Sequence, residues 1–112
     1  MDATQPDPVW ENLDETPFHP EYPCGHCLSA AAAGAVIAGE FGDDVPPLIL
    51  AAEGSMLRRF DSPKEYVDNV ALSRIYIGVH YRFSVDAGVA MGTEVGELAA
   101  QRFFLPQAPA GQ

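Results

Sequence analysis

An alanine-rich segment from Gly25 to Phe41 constrains the fold of this 112-residue chain more than any other stretch of its sequence. Alanine has the highest helix propensity of all residues, and the apolar residues of the segment recur at spacings of three and four. Gly34 and Gly39 lie within it, and a helix without side chains at such positions can be approached closely by a neighbour. The segment therefore predicts a central helix packed on several sides, with Gly42 at its end.

A second helix is predicted from a local signature at its start. Ser62 is a good capping residue, Pro63 suits the first helical position, and Glu65 stands three positions after the serine. Apolar residues then recur as far as Ile77. Gly78 is expected to end this helix or to break it.

A hairpin and a third helix complete the predicted elements. Apolar residues on either side of a Glu-Gly-Ser sequence indicate two short strands near 48–60. Ser84 is predicted to cap a helix that continues to about Phe103. The core candidates of that helix are Val85, Val89, Val95 and Leu98. The predicted fold class is therefore mainly α-helical, with a short β-hairpin.

The N-terminal residues 1–24 are predicted to form a proline-rich, acidic arm. Five prolines lie within them, at positions 6, 8, 17, 20 and 23. Each proline removes a backbone donor and disfavours helix at the residue before it. The large apolar side chains that could hold this extended arm to the core are Trp10, Leu13, Phe18 and Tyr22. The helical domain is accordingly assigned to 25–105, and residues 106–112 to a flexible tail.

The charge of the chain excludes several classes of partner. The formal net charge is -10, and a field of that sign repels nucleic acid and anionic lipid. A site for a small anion must therefore be built locally from a few arginines and backbone amides. No apolar run approaches the roughly 20 residues that a membrane-spanning helix needs, and no signal peptide is recognisable. The chain is expected to be soluble, in an undetermined compartment.

The four residues Cys24-Gly25-His26-Cys27 permit several interpretations. They match the active site of protein disulfide isomerases, where a helix N-terminus favours the thiolate and a second thiol resolves the mixed disulfide. Such a site normally follows a buried strand, and the prolines in 16–23 exclude a central strand here. A simpler interpretation is that two small cysteines pack near the helix start, since two cysteines so close do not make a disulfide framework. A zinc site would need two more ligands, for which the candidates are His19, His26 and His80.

Two longer motifs carry a resemblance to a known family. The residues from His19 to His26 read HPEYPCGH, and those from Ser73 to His80 read SRIYIGVH. They resemble the HPEYPSGH segment and the SR-x5-H signature of the superfamily of vanadium-dependent haloperoxidases and type-2 phosphatidic-acid phosphatases. The flanking residues match as well, so that the resemblance covers about residues 8–100. It implies the C-terminal portion of a helical bundle of that type.

The motif residues suit the chemistry that this resemblance implies. Gly25 and His26 offer backbone amides at a helix N-terminus, which is a ready anion site. Arg74 is a forked, permanently charged donor for phosphate or vanadate oxygens. His80 can act as nucleophile toward phosphorus or as axial ligand to vanadium, and His26 as general acid–base. A continuous helix would turn Arg74 and His80 apart by about 240°, so a break at Gly78 is expected to return His80 toward Arg74.

Other motif residues receive supporting roles from the same resemblance. Cys24 stands where the family has serine, and it is placed at the oxyanion with Gly25 and Arg74. Ser73 is expected to support the site through hydrogen bonding. His19 and Glu21 are predicted to be structural. Predicted surface charges are Arg58, Arg59 and Arg82.

The sequence departs from the family pattern at three points. The family clamps its oxyanion with a Lys-x6-Arg-Pro motif, and no lysine or arginine precedes His19 here. The serine of PSGH is Cys24, a poorer hydrogen-bond donor. The aspartate often found four residues after the second-motif histidine is Ser84. The chain therefore resembles the C-terminal part of a longer protein, or a copy that lacks the cationic clamp.

The resemblance implies a haloperoxidase, incomplete in this chain, that oxidises halide with peroxide at a vanadate held by His80. The HPEYP flank and the lack of a predicted membrane span favour this over the membrane lipid phosphatases. An acid phosphatase of the same superfamily, acting through a phosphohistidine and without a cofactor, is the alternative. A non-catalytic helical unit with a structural role or a role in homo-oligomers is a third. The expected partners are small anionic substrates, either peroxide with halide or a phosphate ester.

Overall fold

A computed structural model of the chain describes residues 5–50, 57–103, 105, 106 and 111. The elements in these ranges are helix α1 (Gly25–Phe41), a 3-10 turn (Gly42–Asp44), strands β1 (Leu48–Leu50) and β2 (Arg58–Phe60), and helices α2 (Pro63–Ile77) and α3 (Arg82–Arg102). The mainly α-helical class and the short hairpin are thus confirmed. The predicted hairpin turn and most of the predicted tail lie outside the described residues. None of the helices in these ranges is long and apolar enough to cross a membrane.

The hairpin is attached to the helices through its second strand. Strands β1 and β2 pair in antiparallel fashion, with Leu48 opposite Phe60. The side chain of Phe60 is buried, and its ring meets that of Tyr66 edge-on, with 5.5 Å between ring centroids. Because Tyr66 lies on α2, this contact holds the hairpin against the start of that helix.

Helix α1 has the predicted boundaries because both of its ends carry local signals. Cys24 precedes it as the N-cap in extended backbone, and Gly42 follows it with a φ of 60°, which glycine adopts without strain. The helix packs along α3 and against α2. Ala33 is exposed, so the predicted burial on several sides is confirmed only where α2 and α3 lie.

Helix α3 packs on α1 through glycines rather than through large apolar residues. A Cβ atom added at any of these glycines would overlap a carbonyl oxygen of the facing segment, at Gly88 with Cys24, at Gly92 with Leu28 and at Gly96 with Ala32. Val85 is buried, but Val95 and Leu98 are 55% and 48% exposed. The prediction that Val95 and Leu98 belong to the core is wrong, because the glycine face of α3 is the one that meets α1.

Helix α2 begins at the predicted cap and ends at the predicted break. The hydroxyl of Ser62 accepts a hydrogen bond from the Glu65 amide at 3.1 Å. The Glu65 carboxylate accepts from the amide of Asp61 at 2.7 Å, one residue before the cap. Gly78 follows the helix in the left-handed conformation with a φ of 88°, and its amide donates to carbonyls of the last turn.

Helix α3 begins earlier than its sequence suggests. It starts at Arg82, and Tyr81 is its N-cap without a side-chain hydrogen bond. Ser84 lies inside the first turn and is fully buried. Its hydroxyl donates to the main-chain carbonyl of Glu21 at 2.6 Å. The prediction that Ser84 caps α3 is wrong, because a contact with the arm, remote in sequence, holds its side chain.

The arm is held by its backbone and by two of the four side chains predicted to hold it. The amide of Leu13 donates to the carbonyl of Ile77 at 3.0 Å. The Trp10 ring covers Gly78, where an added Cβ would come within 2.6 Å of it. Tyr22 stacks on Phe83 of α3, with ring centroids 5.8 Å apart. The side chains of Leu13 and Phe18 are exposed, so for these two the prediction is wrong.

Candidate anion site

His80 lies in the turn between α2 and α3, and within the described residues only one of its two ring nitrogens has a hydrogen-bond partner. His80 is only 7% exposed. Nδ1 lies 2.7 Å from the main-chain carbonyl oxygen of Glu21, and a carbonyl can only accept, so Nδ1 carries the hydrogen. Nε2 is buried and has no hydrogen-bond partner within the described part of the chain. In the neutral ring this arrangement leaves the Nε2 lone pair available to a ligand.

Glu21 fixes the position of His80. The sequence predicts only that Glu21 is structural and does not indicate this contact. Its carbonyl accepts from both His80 Nδ1 and the hydroxyl of Ser84. Its carboxylate accepts from the amide of Tyr81 at 2.8 Å and lies 3.4 Å from His80 Nδ1. Ser84, at the position where the family often has aspartate, therefore acts on His80 through a shared carbonyl. The sequence signal for this role was the place of Glu21 inside the HPEYP phrase.

The arm also brings the three histidines of the chain together. The ring of His19 stacks on that of His80, with 5.9 Å between centroids and 15° between planes. The centroid of His19 is 6.1 Å from that of His26 at the start of α1. Within the described residues, no group of three or more histidine, cysteine or acidic residues could hold a metal ion. The two predicted catalytic histidines thus share one cluster, in which the rings stack and tilt against each other.

Arg74 belongs to the same electrostatic neighbourhood. Burial lowers the pKa of His26 below its ordinary value of 6.5, and the charges of Arg74, His19 and His80 lower it further. The Nε of Arg74 is buried without a partner among the described residues. Arg74 and His80 are thus both within electrostatic reach of His26. A cation there with a donor that has no partner among the described residues would attract an anion.

The N-terminus of α1 presents two backbone amides without an acceptor in the part of the chain that the structure describes. The Cys24 amide donates to the carbonyl of Ser84 at 3.1 Å. The Cys27 amide donates to the sulfur of Cys24 at 3.2 Å. Those of Gly25 and His26 have no acceptor within the described ranges. They are the orphan donors of the first helical turn, and they stand where the helix dipole favours an anion.

A disulfide joins Cys24 and Cys27, which corrects two predictions. A disulfide sulfur has no hydrogen, so the Cys24 side chain cannot donate to an oxyanion. Cys27 is bonded covalently rather than merely packed. Both cysteines are fully buried, and thiol–disulfide exchange requires a thiolate to reach one of the sulfurs. The burial argues against the disulfide isomerase interpretation.

The remaining predicted residues lie at the edge of the site or away from it. The hydroxyl of Ser73 donates to the Val70 carbonyl of its own helix at 2.7 Å, so the bond that it makes does not support the anion site. Arg58 donates to Asn69, and Arg59 pairs with Asp61. Arg82 is exposed. These three arginines lie at the surface, as their prediction states.

A cavity of about 650 Å³ lies between the arm and the turn that carries His80. His19, Glu21 and His80 form one side of it, and Trp10 and Thr16 form another. A larger groove of about 780 Å³ runs between the three helices, but it is lined by small residues such as Gly34 and Ala38 and by none of the predicted site residues. Of these two cavities, the smaller one borders His19 and His80. The other predicted site residues, which are Gly25, His26 and Arg74, line neither of the two.

Comparisons with known proteins show the family of this chain. Residues 1–105 match the family model described as the VCPO second helical-bundle domain. The chain is also similar to a solved structure described as the first bacterial vanadium-dependent iodoperoxidase, with 35% sequence identity and a TM-score of 0.75. That similarity covers 82% of this chain and 23% of the other, so the chain spans less than a quarter of that structure. No match was found among curated proteins. The chain belongs to the vanadium haloperoxidase superfamily, in which it corresponds to a helical-bundle domain.

Proposed function

We propose that this chain contributes the histidine and arginine side of a vanadate site, and that the complete site oxidises halide with peroxide. The observation that carries the proposal is the buried Nε2 of His80, which has no partner among the residues that the structure describes. A buried polar atom without a partner is unfavourable unless a ligand completes it. The similarity to a vanadium-dependent iodoperoxidase supports vanadate as that ligand.

The donor set of the site fits a metal oxyanion. His80 would hold the vanadium through Nε2, since its Nδ1 hydrogen is committed to the Glu21 carbonyl. Arg74 would donate to the vanadate oxygens, as would the free amides of Gly25 and His26. A neutral nitrogen lone pair suits the metal, and N–H donors suit its oxygens, so each group matches one part of the anion.

Proton movement is assigned to His26. Its pKa lies below the ordinary value, so its ring is mostly neutral near pH 7 and would be able to accept a proton from a substrate beside it. Vanadate, when bound, supplies the Lewis acid that activates peroxide toward a halide ion. Arg74 balances the negative charge that the anion brings into the site.

The proposed site needs cations beyond those of this chain. The net charge of the chain is -10, and such a field weakens the binding of any anion. The Lys-x6-Arg-Pro clamp that the family resemblance implies does not occur in this sequence. We therefore expect weak vanadate binding by the chain itself, and full activity when a segment carrying those cations is supplied.

Binding and both candidate reactions are measured side by side. Calorimetry with orthovanadate is expected to detect binding that His80→Ala abolishes, and iodide oxidation by hydrogen peroxide is expected to depend on added vanadate. Phosphomonoester hydrolysis without iodide oxidation would favour the phosphatase, in which the same Nε2 attacks phosphorus. A chain that binds no vanadate and catalyses neither reaction, with or without the cationic segment, would contradict the proposal and leave a structural role.

A further inference from the structure

We propose that the Cys24–Cys27 disulfide is the positioning element of this anion site, and that its reduction weakens anion binding. The inference rests on the proposed function, because it concerns the amides of Gly25 and His26 that the proposed site uses. These two residues are the whole segment between the bonded cysteines. The disulfide thus closes a ring around the residues that face the anion.

The ring is fastened to the bundle at its cysteine ends. Cys24, Cys27 and Val85 form a buried cluster, against which Ile75 of α2 and Val89 of α3 are packed. The two cysteine Cβ atoms lie so close to α3 that a Cβ at Gly88 would come within 3.2 Å of each. The sulfurs are therefore held by packing against α2 and α3.

The disulfide also decides which amides remain free. The sulfur of Cys24 accepts the hydrogen bond of the Cys27 amide, and the Cys24 amide is bonded to Ser84. The amides of Gly25 and His26, which lack acceptors in the described ranges, are left between two fixed ends. Opening the ring would let the first turn of α1 fray, because the terminal residues of a helix have few hydrogen bonds to hold them.

The site chemistry gives the disulfide a second consequence. Free thiols reduce oxidised metal centres and are themselves oxidised by peroxide. Two cysteines joined to each other have no thiol to offer. The oxidised ring thus combines a fixed geometry with resistance to the oxidant that the proposed reaction uses.

The test compares the oxidised and reduced forms of the full chain with tungstate, a tetrahedral oxyanion that thiols do not reduce. Tris(2-carboxyethyl)phosphine breaks the S–S bond. Each sulfur gains one electron and one proton, and the phosphine takes the oxygen of water to become a phosphine oxide. The reduced form is expected to bind tungstate about 10-fold more weakly, the loss of one well-placed hydrogen bond. The amide NMR signals of Gly25 and His26 are expected to shift or broaden.

A double variant keeps the inference testable if the reduced chain unfolds or if the buried disulfide resists reduction. The double substitution Cys24→Ser with Cys27→Ala opens the ring but keeps an oxygen acceptor for the amide at position 27. It is expected to stay helical by circular dichroism and to show the same loss of tungstate affinity. Val67→Ala, a buried change beside Gly34 and about two turns along α1 from Cys27, is the control that lowers stability and leaves tungstate binding unchanged.

Four results separate the inference from the proposed function on which it rests. Weaker binding by the opened chains, with Val67→Ala unaffected, supports the positioning role. Equal affinity in the oxidised and opened chains overturns it while the proposed site stands. If the oxidised chain binds no tungstate, the proposed site fails, and unchanged amide signals of Gly25 and His26 on opening would overturn the positioning role independently.

Discussion

At the scale of single residues, the hydrogen bonds within the chain determine which groups of the candidate site remain available to a ligand. His80 has one ring nitrogen bonded to Glu21 and one that has no partner in the described ranges. At the start of α1, the amide of Cys24 donates to the Ser84 carbonyl and the amide of Cys27 donates to the Cys24 sulfur. Each committed bond fixes the direction of a neighbouring free group. This is how a short chain can orient an anion site without a large number of charged residues.

Removing Arg74 tests whether one cation anchors the anion. Arg74→Ala is expected to weaken tungstate binding by about 10-fold or more, because a hydrogen bond from a charged donor contributes more than a neutral one. Arg102→Ala, at the exposed end of α3, removes the same charge far from the site and is expected to leave the affinity nearly unchanged. Equal losses in the two variants would show that net charge, and not a contact with Arg74, governs binding. Isothermal titration calorimetry measures both.

The titration of His26 tests the electrostatics of the cluster. Burial is the first cause of its lowered pKa and Arg74 the second. NMR should therefore place the midpoint of wild-type His26 below 6.5, and Arg74→Ala should raise it without restoring the ordinary value. A midpoint at or above 6.5 in the wild type would contradict the burial and the charges described here.

The lowered pKa of His26 also makes the stability of the fold depend on pH. Because the folded pKa of His26 is lower than 6.5, the unfolded chain takes up this proton first as the pH falls. The contribution of His26 to the free energy of unfolding is therefore complete above pH 6.5. It is lost as the pH falls from 6.5 through the pKa of His26 in the folded chain. Urea unfolding of the wild type and of His26→Gln, which cannot take up the proton, should diverge in that window, with the wild type losing stability relative to the variant.

At the scale of elements, the packing of α3 on α1 depends on glycine. Gly92→Ala is expected to lower the free energy of unfolding by about 1–3 kcal/mol, because the new methyl group would overlap the Leu28 carbonyl and force the helices apart. Gly25→Ala is the matched control, since an added Cβ there meets nothing within 4 Å. Thermal or urea unfolding followed by circular dichroism measures both. Stabilisation of the Gly92 variant through helix propensity alone would contradict the close contact.

Elements with local signals could be predicted from the sequence, and contacts between elements could not. The boundaries of α1 and α2 follow from Gly42, Ser62 and Gly78, each of which acts on its own neighbours. The start of α3 could not be predicted in this way, because Ser84 bonds to Glu21, 63 residues away. The predicted core face of α3 is also wrong, because burial there depends on close contact with the α1 backbone and not on the size of the side chain. Motif order predicted which residues meet, but not the disulfide or the role of Glu21.

At the scale of the whole molecule, the hydrophobic core of the described part is small. Its largest fully buried side chains are Val85, Cys24, Cys27 and Ser84. Large apolar side chains such as Phe18, Tyr76 and Phe103 are exposed. A core of this size leaves little stability in reserve. The chain also spans only 23% of the related iodoperoxidase structure, so a supplied cationic segment would meet a surface with apolar area to bury.

The global charge predicts an unusual response of anion binding to salt. Tungstate is doubly negative and the chain carries a net charge of -10, so distant carboxylates repel the ligand while Arg74 and the amides attract it at contact. The Debye length falls from about 30 Å at 0.01 M to about 8 Å at 0.15 M. Screening over that range removes the distant repulsion more than the contacts. Calorimetry in sodium acetate should therefore show tungstate affinity rising by about threefold from low to high ionic strength. Affinity that falls with added salt would mean that cations dominate the field at the site, and the need for an additional cationic segment would then lose its physical basis.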